Sequence, residues 1–295
     1  MTVVHERAFA KVNLCLLMGG PRPDGRHELV TLFESVELAD DLRLITSLGD
    51  ADEVICQEVR GPNLVGAALQ ALRQRGWNGP PLRVEIDKRI PVAGGMGGGS
   101  SDAAATLRAA ATLGPAITAE VLTEIAAGLG SDVPSQLNPG VSIGVGAGDR
   151  VTALPALTAH ALVVVPQSFW LSTAHVYREA DRLGLGRDQE ELVQLRAELE
   201  AGLAADGRPG LVVNDLQAAA LSLRPEIGDA LEAVRGAGIE QALVCGSGPT
   251  VIGVVWGSDA LVRARTAAER LVARFPGAVA VSPVDRGDGR PAANR

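Results

Sequence analysis

The chain has 295 residues, of which 46% are hydrophobic and 21% charged, a balance typical of a soluble globular protein with a sizeable core. Its formal net charge of −8 argues against a nucleic-acid surface, and its apolar runs are too short for a membrane span. Three widely spaced cysteines, four scattered histidines and a start unlike a signal peptide favour a cytoplasmic protein with reduced thiols over a disulfide frame or a zinc site.

Apolar alternation and helix-forming stretches predict the elements of the first half of the chain. In residues 10–18, Val12, Leu14 and Leu16 share one face of a strand. The predicted strands cover residues 10–18, 29–38, 42–44, 82–86 and 141–145. The predicted helices cover residues 63–75, 101–113 and 119–129.

The pattern changes near Pro155, and a second set of elements follows. Strands are predicted at residues 161–165, 241–245, 251–256 and 278–282, and helices at 173–183, 189–205, 215–223, 226–236 and 259–275. Without the extra helices this order is β-α-β-β-α-β, the split βαβ arrangement. We therefore predict an α+β protein with two domains, residues 1–155 and 156–283, and a flexible tail at 284–295.

A glycine-rich run between a predicted strand and a predicted helix carries the most information. Five of the six residues from Gly94 to Gly99 are glycine. A turn of this kind that opens a helix aims free N–H groups and the positive end of the helix dipole at one point, which favours a phosphate. The run lacks the lysine of a Walker A loop and the last glycine of a dinucleotide fingerprint. A flexible linker is the alternative, and the strand and helix on either side argue against it.

Four other features each have a functional interpretation and a plainer one. Lys11 on the first strand either faces a phosphate or is a solvated edge lysine, and Asp132 is either a general base or a helix N-cap. Residues 24–28 either bind substrate or form a hairpin tip. Residues 246–250 form a second glycine-rich turn, which either surrounds a phosphate with backbone amides or is an ordinary hairpin loop.

Three motifs in order resemble those of the GHMP kinases: Ala10-Lys-Val-Asn-Leu14, the run from Pro91 to Ser101, and Gly246-Ser-Gly-Pro-Thr250. Shorter matches at residues 23–29, 86–91 and 130–134 are most similar to the members that phosphorylate a cytidine-diphosphate derivative of methylerythritol. The resemblance implies an N-terminal domain like the second domain of ribosomal protein S5 and a ferredoxin-like C-terminal domain. It also implies transfer of phosphate from ATP to the 2-hydroxyl of that substrate, in non-mevalonate isoprenoid precursor synthesis.

The resemblance also assigns roles to individual residues. Lys11 and Asp132 would form the catalytic pair, with Asp132 taking or orienting the hydroxyl proton. ATP would be bound by Pro91, Val92, Ala93, Gly94, Gly95, Met96, Gly97, Gly98, Gly99, Ser100 and Ser101, with Asn63, Leu64 and Lys88 near the adenine. Mg²⁺ would be held through Ser100 or Ser101. The substrate would be bound by Asn13, Arg26, His27, Tyr177, Gly246, Ser247 and Gly248, with His27 at the cytosine edge.

Two positions depart from the pattern of these members. Arg26 stands where they commonly carry a tyrosine that stacks on cytosine, and a guanidinium can also stack on a base. Ser135 and Gln136 stand where an aromatic residue usually follows, and we have no functional account of that change.

The alternative functions are another GHMP kinase, of homoserine or mevalonate type, or a non-catalytic ATP-binding protein on the same fold. An RNA-binding role is disfavoured by the acidic balance. We expect a small-molecule substrate, no nucleic-acid or membrane partner, and a monomer or weak homodimer.

Overall fold

A computed structural model describes residues 1–57, 59 and 63–285. Its first sheet is built around a long antiparallel hairpin of β1 (Val3–Pro21) and β2 (His27–Thr46). The other strands of this sheet are β3 (Glu53–Cys56), β4 (Leu82–Asp87), β5 (Val141–Gly146), β6 (Arg150–Ala153) and β8 (Val213–Asn214). Strand order is β3-β4-β2-β1-β8, with β5 on β2 and β6 on β5.

Strand β2 corrects the prediction of two separate strands at 29–38 and 42–44. It is continuous, and its two halves have different partners: Leu29–Glu34 pairs with β5, and Asp41–Thr46 pairs with β4. Two aspartates, Asp40 and Asp41, lie between the two predicted strands. Asp40 is buried and hydrogen-bonded to the chain after β4, so the strand continues through it.

Four helices belong to this half of the chain: α1 (Leu64–Gln74), α2 (Gly98–Leu113), α3 (Ala119–Leu129) and α4 (Val133–Leu137). Helix α2 begins at Gly98, three residues before the predicted start. Five of its six alanines, among them Ala103, Ala104 and Ala110, are fully buried in a cluster with residues of β1, β2, β4 and α1. Because alanine side chains are short, α2 lies close to the sheet, and its first turn comes close to β1.

The second sheet has four antiparallel strands in the order β11-β7-β10-β9: β7 (His160–Val165), β9 (Gln241–Val244), β10 (Val251–Trp256) and β11 (Val279–Val281). Helices α8 (Ile227–Gly236) and α9 (Ala260–Leu271) cover one of its faces. This order, with α8 and α9 as the crossing helices, is the predicted ferredoxin-like arrangement. The other helices are α5 (Thr173–Leu183), α6 (Gln189–Asp206) and α7 (Gln217–Leu223).

Alternate residues of β7 join two different cores, as expected for the period of two of a strand. Ala161, Val163 and Val165 pack with α8 and α9, whereas Leu162 and Val164 pack in a cluster that includes Leu14 of β1. Strand β8 crosses from the second half of the chain to extend the first sheet. The two halves of the chain thus share the hydrophobic cluster that contains Leu14, Leu162 and Val164. The division into two domains at residue 155 stays a prediction.

The short elements β3, β6, β8 and α4 were not predicted, because two to five residues carry too little periodicity. None of the helices in the described residues is long and apolar enough to cross a membrane. The predicted tail at 284–295 lies outside the described residues from position 286 onward.

Candidate active site

A cavity of about 1010 Å³ opens between the glycine-rich loop, the β1–β2 hairpin, α5 and the turn at Gly246. It therefore draws its walls from both halves of the chain. Among the described residues, no three His, Cys, Asp or Glu side chains are grouped so that they could hold a metal ion. The cavity lining includes backbone of the glycine-rich loop, hydroxyl side chains and a few charged side chains.

The glycine-rich loop adopts the geometry of an anion site. Gly95 and Gly97 have φ of +81° and +70°, and the non-glycine Ala93 has φ of +54°. Gly97 caps α2 without a side-chain hydrogen bond, so no side chain competes for the first amides of this 16-residue helix. Those amides and the positive end of the helix dipole point to where a phosphate would bind. The predicted phosphate loop thus has the expected conformation.

Lys11 lies beneath this loop, in strand β1, and is 3% exposed. Its Nζ donates hydrogen bonds to Asn13 Oδ1 at 2.8 Å and to the Gly95 carbonyl at 3.0 Å. The same atom lies 3.4 Å from Asp132 Oδ2. Lys11 therefore links the Gly95 carbonyl of the loop to the Asp132 carboxylate. Because the side chain is buried, the interpretation of Lys11 as a solvated edge lysine is wrong.

Asp132 precedes α4 at the N-cap position, but its side chain makes no capping hydrogen bond. The side chain is one-third exposed, at 33%, and it lines the cavity. The carboxylate is thus available to an acceptor hydroxyl while Lys11 supplies a positive charge beside it. This geometry favours the functional interpretation of Asp132 over the cap.

Asn13 extends the Lys11 network into the sheet. Its Nδ2 donates to Thr31 Oγ1 at 2.8 Å, and that hydroxyl donates to the Cys15 carbonyl, also at 2.8 Å. The amide is thereby held with its oxygen toward Lys11. Asn13 is 2% exposed and still forms part of the cavity wall.

An aromatic pair also lines the cavity. The rings of His27 and Tyr177 stack with centroids 5.0 Å apart, and His27 Nε2 lies 2.7 Å from Asp181 Oδ1. Burial, followed by the charge of Asp132, raises the pKa of the Tyr177 phenol, so the phenol stays neutral. These flat side chains form a surface on which a planar ring could lie.

Arg26 lines the cavity beside this pair and is half-exposed. Its guanidinium contacts Asp24 Oδ2 at 3.0 Å and Asp149 Oδ2 at 3.3 Å. Asp24 accepts from Nε and Nη2 and Asp149 accepts from Nη1, so all three guanidinium nitrogens are held. The plane of the group is thus restrained at the cavity wall.

The second glycine-rich turn packs directly on the first. Thr250 N donates to the Gly94 carbonyl at 3.3 Å, and a Cβ on Gly95 would lie 2.5 Å from the Cys245 carbonyl oxygen. Ser247 Oγ lies 3.0 Å from Thr173 Oγ1, at the start of α5. The turn at 246–250 therefore joins the phosphate loop to α5.

Lys88 is buried between two carboxylates. Its Nζ contacts Asp40 and lies 2.8 Å from Asp102 Oδ2. Burial alone would lower the pKa of the Lys88 ammonium, but Asp102 and Asp40 outweigh burial and raise it. Lys88 is therefore charged, and carboxylates already accept its hydrogen bonds.

Most of the predicted site residues do line the cavity. These are Lys11, Asn13, Arg26, His27, Asn63, Leu64, Lys88, Pro91, Val92, Ala93, Gly94, Gly95, Gly97, Gly98, Gly99, Ser100, Asp132, Tyr177, Gly246 and Ser247. Three lie behind its wall in the described structure: Met96 and Ser101 are buried, and the Cβ position of Gly248 faces Val244. Asn63 also caps α1 through a hydrogen bond from Val65 N.

Sequence reasoning missed Asp181 and Thr173, which hold His27 and Ser247. A signal for Asp181 was present, because it lies four residues after Tyr177 and hence on the same face of α5. Thr173 opens the same helix and offered no comparable signal. Both contacts join residues more than 70 positions apart.

Comparisons with known proteins match both halves of the chain. Residues 63–160 match the family model "GHMP kinases N terminal domain", and residues 190–274 match "GHMP kinases C terminal". The 4-diphosphocytidyl-2-C-methyl-D-erythritol kinase of Streptomyces coelicolor is 44% identical, with 84% of this chain and 86% of that protein covered. The protein of the same name from Cutibacterium acnes is 41% identical, with 84% of each chain covered.

Solved structures extend the likeness to the whole fold. A crystal structure of 4-(cytidine 5'-diphospho)-2C-methyl-D-erythritol kinase has a TM-score of 0.77 and 32% identity, with 95% of this chain and 99% of that chain covered. Homoserine kinase from Cytophaga hutchinsonii has a TM-score of 0.70 at 17% identity, with 97% and 96% covered, which shows a shared fold alone.

Proposed function

Because this chain belongs to the GHMP kinases and is an ATP-dependent small-molecule kinase, we propose that it phosphorylates the 2-hydroxyl of 4-diphosphocytidyl-2-C-methyl-D-erythritol. The products are the 2-phosphate and ADP, in non-mevalonate isoprenoid precursor synthesis. One observation carries the proposal. The Lys11–Asp132 pair lies under the phosphate loop, in a cavity that the stacked His27 and Tyr177 also line.

Phosphoryl transfer mostly requires positioning and stabilisation of charge. The amides at the start of α2 bind the phosphates of ATP. Asp132 accepts a hydrogen bond from the substrate hydroxyl and orients it, and Lys11 holds Asp132 in place. Because Lys11 also donates to the Gly95 carbonyl, one side chain sets the position of both the loop and the carboxylate.

The hydroxyls near the start of α2 fit Mg²⁺, which prefers oxygen ligands. Ser100 lines the cavity, and Ser101 Oγ is buried with no hydrogen-bond partner in the described structure. We propose that Ser100 or Ser101 holds the ion. When bound, Mg²⁺ supplies positive charge to the phosphate oxygens.

The cytosine is proposed to lie beside His27 and Tyr177. Tyr177 and Arg26 offer flat faces to the base, and His27 lies at its edge, held by Asp181. Asn13, Gly246 and Ser247 also line the cavity and would contact the rest of the substrate. The expectations of a cytoplasmic location, no nucleic-acid partner, and a monomer or weak homodimer stay predictions.

A substrate panel tests this function. The purified chain is incubated with ATP, Mg²⁺ and either the cytidyl substrate, mevalonate or homoserine, and ADP formation and the phosphorus NMR spectrum of the product are measured. Of the three acceptors, we expect only the cytidyl substrate to be turned over, and we expect its product to carry a new phosphomonoester on the 2-oxygen. Phosphorylation of mevalonate or homoserine in its place would overturn the proposal, and so would nucleotide binding without turnover.

A further inference from the structure

Three buried ionisable side chains lie next to the phosphate loop, outside the Lys11–Asp132 pair, and two of them, Lys88 and Asp102, also line the cavity. They are Asp40 of β2, Lys88 after β4 and Asp102 of α2, and their side chains are 0%, 6% and 3% exposed. Charged groups are rarely buried this completely unless they are paired. The contacts of this cluster reach the chain just before the phosphate loop and the helix just after it.

Asp40 fixes the chain as it enters the loop. Its Oδ1 accepts hydrogen bonds from Arg89 N at 2.5 Å and Ile90 N at 2.7 Å, and its Oδ2 accepts one from Lys88. Two consecutive amides are thus bound by one oxygen of a fully buried strand residue. The backbone just before Pro91 is consequently anchored to the first sheet.

Lys88 joins this entry to the exit of the loop. Its Nζ donates to Asp102 Oδ2 at 2.8 Å, and a Cβ on Gly98 would lie 3.1 Å from the same Nζ. Lys88 therefore lies directly under the first residue of α2. The other oxygen of Asp102 has no hydrogen-bond partner in the described structure, so the contact with Lys88 is what anchors this carboxylate there.

We propose that Asp40, Lys88 and Asp102 are positioning residues that hold both ends of the phosphate loop in the shape that binds the nucleotide. Because carboxylates accept the hydrogen bonds of the Lys88 ammonium on both sides, Lys88 acts through the loop backbone and not as a ligand of phosphate. The inference rests on the proposed use of ATP but is independent of the identity of the acceptor.

The test compares two substitutions at Asp102 by calorimetric binding of ATP in the absence of acceptor, together with steady-state kinetics. Asp102→Ala removes one of the two carboxylate partners of Lys88, the one on α2. We expect the Kd and the KM for ATP to rise about tenfold or more, because small displacements of positioned groups are costly. The KM of the acceptor should stay unchanged. Asp102→Asn keeps an oxygen for Lys88, and we expect it to restore the ATP affinity.

A matched control separates this role from general stability. Arg108→Met, in the same helix, breaks another buried ion pair, in which Arg108 Nη2 lies 2.5 Å from Glu6 Oε1 and which is outside the cavity lining. It should lower the thermal midpoint and leave the Kd for ATP unchanged. Lys88→Met should lower both the midpoint and the ATP affinity, and the adjacent Arg89→Met should affect neither strongly.

The proposal is overturned if Asp102→Ala binds ATP as tightly as the unaltered chain, or if Arg108→Met loses as much ATP affinity as Asp102→Ala does. If Lys88→Met does not fold, the Asp102 pair still decides the outcome. Absence of turnover with the cytidyl substrate would refute the proposed function and leave this binding comparison intact.

Discussion

Nε2 of His160 lies 2.8 Å from Oε2 of Glu34, and this contact joins β7 of the second sheet to β2 of the first. Both side chains are almost fully buried, at 2% and 1% exposure. His160 Nδ1 lies 2.8 Å from the Thr158 carbonyl oxygen, which can only accept a hydrogen bond. Both ring nitrogens thus face acceptors, and the geometry favours a doubly protonated imidazolium.

This pair predicts a pH-dependent stability. Burial alone lowers the pKa of His160, but the hydrogen bond and charge of Glu34 outweigh burial and raise the pKa above its ordinary value of 6.5. A raised folded pKa means that the contribution to stability is complete below about pH 6.5 and is lost as pH rises through the folded pKa. We expect the unfolding free energy, measured in urea from about pH 6 to about pH 8.5, to fall more steeply for the unaltered chain than for His160→Gln.

The difference in pH slope between the unaltered chain and His160→Gln isolates the contribution of His160. Burial raises the pKa of Asp102 to about 7 despite the opposing effect of Lys88, and this carboxyl adds a slope of the same sign in both chains. His175→Gln, at an exposed position of α5, is the matched control and should keep the slope of the unaltered chain. Equal slopes for the unaltered chain and His160→Gln would contradict the prediction.

Sequence alone predicted those features that depend on neighbouring residues. The bounds of α5, Thr173–Leu183, were predicted in full, because a capping serine, helix formers and Gly184 follow one another there. The phosphate loop was predictable for the same reason, since its glycines and the following helix are contiguous. The resemblance, and not periodicity, supplied the roles of Lys11 and Asp132.

Contacts between distant parts of the chain were not predictable in this way. Asp40 and Lys88 are 48 positions apart, and His160 and Glu34 are 126 positions apart. Asp40 illustrates the physical reason. An aspartate in an acidic stretch is typical of an exposed loop, and only the tertiary fold brings the buried amides and the ammonium that stabilise it.

Removal of either member of the catalytic pair should separate turnover from nucleotide binding. We expect Asp132→Asn and Lys11→Met to lower kcat by roughly 10²–10⁴-fold, the usual contribution of a positioned acid–base group. In the described structure the Asp132 side chain contacts Lys11 and makes no hydrogen bond to the α2 amides, so the Kd of Asp132→Asn for ATP should change little. Lys11→Met also loses the bond to the Gly95 carbonyl, so some ATP affinity should be lost too. Near-normal turnover in both variants, measured by ADP release, would refute the assignment.

Gly95 should tolerate no side chain, because its position combines a positive φ with contact between two loops. A Cβ there would lie 2.5 Å from the Cys245 carbonyl oxygen and 2.8 Å from that of Gly248, both backbone atoms. Gly76→Ala is the control, since Gly76 has φ of +83° and nothing within 4 Å of the Cβ position. We expect Gly76→Ala to cost about 1 kcal/mol of unfolding free energy and to keep activity. Gly95→Ala should cost roughly 1–3 kcal/mol more and weaken ATP binding. Equal losses in urea unfolding would show that the two loops yield to the added methyl.

Arg26 should influence the cytidyl substrate and not ATP. If its guanidinium stacks on the base, Arg26→Ala loses a contact worth roughly 1–3 kcal/mol, which corresponds to a rise in KM for that substrate of about 5- to 150-fold. Arg26→Tyr should restore much of the affinity, because an aromatic ring offers the same flat face without the contacts to Asp24 and Asp149. Arg22→Ala is the control, since Arg22 also contacts Asp24 but is outside the described lining of the cavity. An unchanged KM in Arg26→Ala, or an equal rise in the KM for ATP, would mean that Arg26 shapes the hairpin and does not touch the base.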